Sequence, residues 1–404
     1  MHILTDPSLI DEILTRSVET IFPSKEALRE KLLSGKQLRI YMGIDPTADY
    51  IHIGHSTNYI ILKRLHNLGH KIIVLVGDFT AMIGDPSDKS SLRQQLTRAE
   101  VEENLASFKS QISKILDFGA SDNPIEFRFN SDWLSKLTFA DTAELAANFT
   151  VQQMIERDAF QKRLSANKPL FMHEFFYPLM QGYDSVALDA DLEIGGSDQL
   201  FNMMAGRTLQ KRYNSKDKFV MTTTLLTNRA TGEKLMSKSL GTGVSLKAEP
   251  NDMFGKAMAL ADEGLVQCFI DCTYLSMTEI EKIETSLKDG TNPRDVKMRL
   301  AHEIVKLYHS AEAAEKAKIA WTEQFSKRAT PGDVADLTID DSIKDWPSLL
   351  VLGDFVGTKS EARRLIEQGA VKLNDEKIDA ERSMQFGDGD ILKVGKRGVV
   401  RLRQ

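Results

Sequence analysis

One stretch decides the fold: residues 39–55, which read RIYMGIDPTADYIHIGH. It predicts a strand, a polar turn built on Pro46 and the first turn of a helix. That helix carries apolar residues on one face, ends at Gly69 and is followed at once by a buried strand at 72–76; the face is made by Ile60, Ile61, Leu65 and Leu68. Strand, helix and parallel strand form a βαβ unit, and such sheets bind ligands beyond the carboxyl ends of their strands.

The start of this helix has the chemistry of a phosphate site. Free backbone N–H groups and the helix dipole attract a polyanion, His52 and His55 add donors, and Gly54 leaves room for a sugar or base. Single histidines near helix starts are more often caps or core groups. A second motif far downstream, Lys234-Leu235-Met236-Ser237-Lys238-Ser239, favours the nucleotide interpretation, because a lysine between serines on a glycine-flanked loop binds phosphate well.

Two segments downstream of the first unit place polar side chains where they could line a pocket. Tyr177, Gln181 and Asp184 are spaced by four and seven, so they lie on one helical stripe, which is either a solvated face or a pocket wall. Asp85 lies in a loop at residues 77–87 that is rich in turn formers and carboxylates, and the alternative to a pocket role for it is an Asx-turn before Pro86.

A tight turn at residues 195–199 precedes an apolar helix. It contains Asp198 and Gln199, and an ordinary helix cap is the alternative interpretation of Asp198.

Composition limits the protein class. The chain has 404 residues and a net charge of −6, which suggests two or three domains and argues against a protein coated in nucleic acid. No run of 18 apolar residues is present and the first residues do not resemble a signal peptide, so we expect a cytoplasmic protein. Cys268 and Cys272 share one helix face and are expected in the core, and no structural metal is predicted.

The remaining periodicity is mostly helical. Residues 8–34 are predicted as helices that cover the sheet, with Ile10, Ile13, Leu14 and Val18 at helical spacing. Residues 100–163 are predicted as mostly helical with a strand-like interruption at 125–129. A further helical region follows Pro250 to about residue 327.

The C-terminal part differs in charge from the rest. Residues 348–404 carry 11 Lys and Arg against 9 Asp and Glu, which gives +2 and leaves −8 for the preceding chain. Residues 358–374 predict a capped helix, a glycine stop and a strand, with Lys359 and Arg363 on one helix face. A solubilising tail is the alternative to an RNA-binding module, although Val399-Val400 favours a folded hairpin.

With these motifs together, the chain resembles the class I aminoacyl-tRNA synthetases, and within them the bacterial tyrosyl-tRNA synthetases. The resemblance covers nearly the whole length. It implies a Rossmann-like α/β catalytic domain (1–247) with a helical insertion at about 120–175 that makes a homodimer contact. It also implies an all-α anticodon-arm domain (248–328), a linker (329–347) and a small α+β RNA-binding module of the ribosomal S-four type (348–404).

The resemblance also assigns roles to residues. The catalytic residues would be His52, His55 and Lys238. L-tyrosine would contact Tyr41, Asp85, Tyr177, Gln181, Asp184 and Gln199, with Tyr41 and Asp184 on the ring hydroxyl. ATP, with Mg²⁺ on its phosphates, would contact Asp45, Gly54, Asp198, Lys234, Ser237 and Lys238. The tRNA would contact Lys359, Arg363 and Arg364. Leu235 stands where the family usually has a lysine.

Two other functions remain open at this point. A tryptophanyl synthetase shares the fold and both signatures but needs no acid at Asp184 and lacks the C-terminal module. A non-catalytic RNA-binding paralogue would have no reason to keep the histidines, Asp198 and Lys238 together. The sequence contains no G-x-G-x-x-G, Walker loop or H-E-x-x-H, which disfavours dehydrogenases, P-loop ATPases and zinc proteases.

Overall fold

The computed structural model describes residues 3–47, 49–86, 96–119, 122–226, 243–323, 336–339, 343–374, 376–378, 384–395 and 398–403. The chain forms two compact units, Met1–Lys318 and Ile319–Gln404.

The first unit opens with alternating helices and strands. In chain order they are α1 (Pro7–Ile13), β1 (Val18–Phe22), α2 (Lys25–Leu33), β2 (Arg39–Ile44), α3 (Ile53–Asn67), β3 (Lys71–Val76), α4 (Thr80–Ile83), α5 (Arg98–Ile112), β4 (Glu126–Phe129) and α6 (Ser131–Leu134). The next elements are α7 (Phe139–Ala146), α8 (Val151–Ile155), α9 (Asp158–Ser165), α10 (Met172–Ala187), β5 (Leu192–Gly196), a 3-10 turn (Ser197–Gln199), α11 (Leu200–Asn214) and β6 (Phe219–Thr223).

The chain from Pro250 is helical. It forms α12 (Pro250–Met258), a 3-10 turn (Asp262–Gly264), α13 (Leu265–Cys272), α14 (Met277–Lys288), α15 (Pro293–Tyr308) and α16 (Ala311–Trp321). Cys268 and Cys272 are buried and free, as predicted. None of the helices in the described ranges is long and apolar enough to cross a lipid bilayer.

The first unit is built on a six-stranded sheet in the order β1-β6-β5-β2-β3-β4. Strands β2 to β6 run parallel to one another, with Ile44 opposite Val76 at the carboxyl ends of β2 and β3. The chain moves outward from β2 through β3 and β4, then returns to place β5 on the other side of β2. This is a topological switch point, where open α/β sheets bind their ligands. The predicted α/β class is confirmed.

The N-terminal region differs from its prediction. Residues 18–22, predicted as helix, form the edge strand β1, which pairs antiparallel with β6. Ser17 adopts φ +61°, which ends the preceding helical turns, and the β-branched Val18, Thr20 and Ile21 suit a strand. The helical spacing of apolar residues that runs from Ile10 to Val18 therefore continues past the break at Ser17 only by coincidence.

Two helices position the site. α3 begins after His52 and ends at Asn67, Leu68 caps it, and Gly69 follows with φ +98°, as predicted. α10 packs closely on α11, because a Cβ at Gly182 would lie 3.2 Å from the backbone of Ala205. Pro178 lies inside α10 and not at its start.

A buried arginine connects the N-terminal residues to α13. The Arg16 guanidinium donates to the carbonyl oxygens of Ile270 (2.9 Å), Thr273 (2.8 Å) and Leu275 (2.6 Å). Ile270 lies in the last turn of α13 and Thr273 at its end, where carbonyl oxygens lack partners within the helix, so Arg16 caps α13 and also binds the Leu275 carbonyl beyond it.

The second unit is a small α+β fold. It contains β7 (Asp336–Thr338), α17 (Trp346–Leu352), α18 (Lys359–Glu367), β8 (Val371–Leu373), β9 (Glu376–Lys377), β10 (Ile391–Val394) and β11 (Gly398–Arg403), with the sheet order β7-β11-β10-β8-β9. The predicted hairpin around Val399 is present, since β10 and β11 pair antiparallel. The predicted linker 329–347 differs: Asp336–Thr338 pairs with β11, and α17 already begins at Trp346.

Candidate active site

A cavity of about 310 Å³ lies at the carboxyl ends of the parallel strands. Its wall includes Gly43 and Ile44 of β2, Gly195 and Gly196 at the end of β5, and the first turn of α3. Ten residues predicted from the sequence line this one cavity: Asp45, His52, Gly54, His55, Asp85, Tyr177, Gln181, Asp184, Asp198 and Gln199.

The start of α3 brings the two histidines together. Their rings stack with centroids 3.7 Å apart, and the backbone N–H of His52 donates to His55 Nδ1 at 3.4 Å. A Cβ at Gly54 would lie 3.0 Å from His52 Nδ1, so a larger residue would press on this ring. The helix start therefore offers backbone donors and imidazoles to one part of the cavity.

The residues that follow the second motif are fixed to this corner. Ile53 N–H donates to the Val244 carbonyl at 2.9 Å, Leu246 N–H donates to the Ile51 carbonyl at 2.8 Å, and His52 pairs with Ser245. Lys234, Ser237 and Lys238 themselves lie outside the described residues.

Asp45 joins β2 to α10. Its carboxylate accepts from the Tyr177 hydroxyl at 2.8 Å and from Thr80 Oγ1 at 2.8 Å. Burial, and then the charge of Asp45, raise the pKa of the Tyr177 phenol well above its ordinary value, so the phenol stays protonated and acts as a donor. Asp45, which is expected to bind ATP, thus orients Tyr177, which is expected to bind tyrosine.

Asp184 is the buried acid of the cavity, with 3% of its surface exposed. It accepts from Trp133 Nε1 at 2.7 Å and from Asn130 Nδ2 at 3.3 Å. Burial raises the pKa of Asp184 well above its ordinary value, while these two donors act in the opposite direction. Sequence reasoning missed Asn130 and Trp133. Their position just after the predicted strand 125–129, at the same edge of the sheet, was an available signal.

Asp85 is held from two sides. One oxygen accepts from Arg157 at 3.1 Å and the other from Gln199 Nε2 at 2.7 Å. The Arg157 side chain is only 5% exposed, so the ion pair is screened from solvent. Arg157 was also missed, because it belongs to the helical insertion and reaches the site only through the tertiary fold.

Tyr41 of β2 lies near two acids of the cavity: burial, and then the charges of Glu193 and Asp184, raise the pKa of its phenol well above its ordinary value. It is fully buried, and its hydroxyl lies 2.7 Å from Ser185 Oγ. It shares a sheet face with Gly43, which does line the cavity, but lies two residues, or about 6.6 Å, farther from the carboxyl end. The expected contact between Tyr41 and the ring hydroxyl of tyrosine stays a prediction.

The predicted RNA-binding residues all belong to α18 of the second unit. Lys359, Arg363 and Arg364 are exposed, and Lys359 Nζ lies 3.8 Å from Asp345 Oδ2. Thr358 caps this helix through the Glu361 N–H.

Comparison with known proteins gives one consistent result. Residues 33–326 match the family of tRNA synthetases class I (W and Y), and residues 355–389 match the S4 domain. The tyrosine–tRNA ligase of Moorella thermoacetica is 44% identical over 96% of this chain and 94% of its own length. The corresponding ligase of Haemophilus influenzae is 41% identical over 99% of this chain and 98% of its own.

Solved structures agree on the fold. A C-terminally truncated mitochondrial tyrosyl-tRNA synthetase from Aspergillus nidulans has a TM-score of 0.66 at 22% identity, over 78% of this chain and 94% of that one. The equivalent protein from Coccidioides posadasii has a TM-score of 0.62 at 26% identity, over 78% and 90%.

Proposed function

The chain belongs to the class I tRNA synthetases of the W and Y family, and we propose that it works there as a tyrosine–tRNA ligase with the site residues described above. It activates L-tyrosine with ATP to tyrosyl-adenylate and pyrophosphate, then transfers the tyrosyl group to the 3′-terminal adenosine of tRNA(Tyr). The observation that carries the tyrosine assignment is the buried Asp184, which is held by Trp133 and Asn130 in the same cavity as the start of α3.

The polar groups divide between the two substrates. Asp184 accepts a hydrogen bond from the substrate's ring hydroxyl, and Tyr177, Gln181, Asp85 and Gln199 surround its α-ammonium. One carboxylate, two amide oxygens and a phenol oxygen can all accept, which suits a cationic ammonium group. An apolar pocket that lacked an acceptor at this depth would not reject phenylalanine strongly.

ATP occupies the corner at the start of α3. Gly54 admits the nucleotide, Asp198 accepts from the ribose hydroxyls, and Asp45, Lys234 and Ser237 complete the site. Mg²⁺ accompanies ATP on its phosphates. No cluster of three His, Cys, Asp or Glu side chains suited to a metal occurs within the described ranges.

The activation step requires little covalent chemistry from the protein. The tyrosine carboxylate oxygen attacks the α-phosphorus, an O–P bond forms, and the bond to pyrophosphate breaks. Positioning of the substrates and stabilisation of the growing negative charge therefore dominate the rate enhancement. His52, His55 and Lys238 are assigned to that charge.

A homodimer in the cytoplasm completes the proposal. Large apolar side chains are exposed along the insertion, with Phe139 89% exposed and Met172 72% exposed. The same group includes Val151, Leu164 and Phe171. Apolar surface of this extent commonly marks a protein interface. Sedimentation at several concentrations checks it: Phe139→Ser with Met172→Ser should give a monomer, and an unchanged dimer would place the contact elsewhere.

Tyrosine-dependent exchange of labelled pyrophosphate into ATP, with no tRNA present, tests the activity. Exchange with tyrosine and none with tryptophan supports the assignment, whereas no exchange with either would leave only an RNA-binding protein. His55→Ala and Lys238→Ala should each slow exchange about 100-fold or more, as expected for a lost transition-state contact. His66→Ala, in the last turn of α3, is the matched control and should keep its rate.

A further inference from the structure

A buried ion pair lies beside the cavity, formed by Lys218 just before β6 and Glu193 of β5. The Lys218 side chain is fully buried and that of Glu193 is 3% exposed, and the ammonium group also donates to Ser185 Oγ at 2.8 Å. Removing two charges from water is expensive, so a pair of this kind adds little to stability compared with apolar residues of similar size. Its presence calls for another explanation.

The fold makes specific room for this pair. A Cβ at Gly206 of α11 would lie 2.5 Å from both Lys218 Nζ and Ser185 Oγ, and 3.4 Å from Glu193 Oε2. A larger residue at this helix position would displace the ammonium group from its partners. The space for the charges is therefore provided by the backbone of α11, which packs against α10.

Glu193 connects the pair to the substrate site. It lines the cavity, and its Oε1 accepts from Gln181 Nε2 at 3.1 Å. A carboxylate can only accept, so it binds the amide of Gln181 through the NH₂ group. The carbonyl oxygen of Gln181 is then the end of the amide left for another donor, and an α-ammonium group is such a donor.

We propose that Glu193 and Lys218 act as positioning residues for tyrosine: Glu193 fixes the orientation of the Gln181 amide, and Lys218 neutralises Glu193. This inference rests on the proposed function and deepens it. Without Lys218, the charge of Glu193 would stand uncompensated near Asp184, whose pKa it already raises.

The decisive variant is Lys218→Met combined with Glu193→Gln, which removes both charges and keeps similar volumes. A glutamine at 193 can either accept or donate, so it no longer fixes the amide of Gln181. We expect the tyrosine KM in pyrophosphate exchange to rise about tenfold, as for a lost hydrogen bond to a charged group, with the ATP KM and kcat nearly unchanged. Lys218→Met alone should raise it further, if that variant folds.

Gln210→Met is the matched control. Gln210 belongs to α11 and, like Lys218, is fully buried. It donates to the Ala190 carbonyl at 3.0 Å, outside the cavity. It should lower stability and leave the tyrosine KM unchanged. A folded double variant with the tyrosine KM of the unsubstituted enzyme would overturn the inference. The unsubstituted enzyme's own exchange activity reports separately on the proposed function.

Discussion

The indole N–H of Trp133 donates to Asp184 Oδ1 across 2.7 Å and links the segment after β4 to α10. Asn130 donates to the other oxygen at 3.3 Å. Burial favours the neutral form of Asp184, and the two donors favour its ionised form. Trp133 and Asn130 therefore decide how much of Asp184 is ionised when tyrosine binds.

Trp133→Phe should therefore weaken tyrosine binding through Asp184. With one donor lost, the pKa of Asp184 rises further. Only an ionised Asp184 is a pure acceptor for the hydrogen bond from the substrate's hydroxyl. The tyrosine KM therefore rises as pH falls through the pKa of Asp184. The rise should begin at a higher pH in Trp133→Phe than in the unsubstituted enzyme. Superimposable pH profiles of the tyrosine KM would remove Trp133 from this role.

Asp184→Asn should lose most of the preference for tyrosine over phenylalanine, by about 10- to 100-fold, because a charge-assisted hydrogen bond is replaced by a neutral one. Tyr41→Phe should change this preference less, since Asp184 supplies the charge-assisted hydrogen bond and the Tyr41 hydroxyl is also bonded to Ser185. It should instead cost about 1 kcal/mol of unfolding free energy. Competitive activation of the two amino acids by both variants is the measurement, and equal losses would place Tyr41 at the ligand.

Gly77→Ala should damage both halves of the site. The added Cβ would lie 1.9 Å from Asp45 Oδ1 and 2.3 Å from Thr80 Oγ1, so Asp45 must move away from Tyr177. We expect the KM for tyrosine and for ATP to rise about tenfold each, by loss of one hydrogen bond to a charged group. Gly255→Ala, with no neighbour within 4 Å, is the control and should leave both constants unchanged.

The buried His70 should make the free energy of unfolding depend on pH. Burial lowers its pKa from 6.5 to about 4, so it is neutral in the folded protein and gains a proton on unfolding. A lowered pKa contributes stability above pH 6.5 that is lost as pH falls toward about 4, by about 3 kcal/mol in all. His70→Asn, which retains an acceptor for the Leu38 N–H, should flatten this dependence in urea unfolding. Equal slopes for both proteins would contradict it.

The exposed cations of α18 should contribute to tRNA binding and not to the activation of tyrosine. Replacement of Lys359, Arg363 and Arg364 by glutamine removes three cations, so the slope of log K against log salt should become shallower by about 2 to 3. Pyrophosphate exchange should not change. Lys25→Gln with Lys36→Gln, at exposed positions of the first unit, should leave the slope intact, and an unchanged slope in the triple variant would exclude this face from RNA binding.

The parts of the fold that were predicted correctly depend on short-range patterns. The strand, helix and strand from Arg39 to Val76 follow from apolar periodicity and a glycine stop, and the α10 stripe follows from helical spacing. These patterns were also enough for the family resemblance, which the comparisons confirm. Each signal lies within about 20 residues of chain.

The parts that were missed depend on contacts between distant segments. β1 pairs with a strand 200 residues away, and Arg157 reaches Asp85 from the insertion. Local periodicity contains no information on either of these contacts.

The capping of α13 by Arg16 also sets an order of events during protein synthesis. Arg16 and its acceptor at Leu275 are 259 residues apart. At 5 to 20 residues per second, a ribosome needs about 10 to 50 s to add that length. For that time Arg16 and the edge strand β1 exist without their partners on a growing chain. The N-terminal residues are therefore among the last to be fixed in place although they are the first to be made.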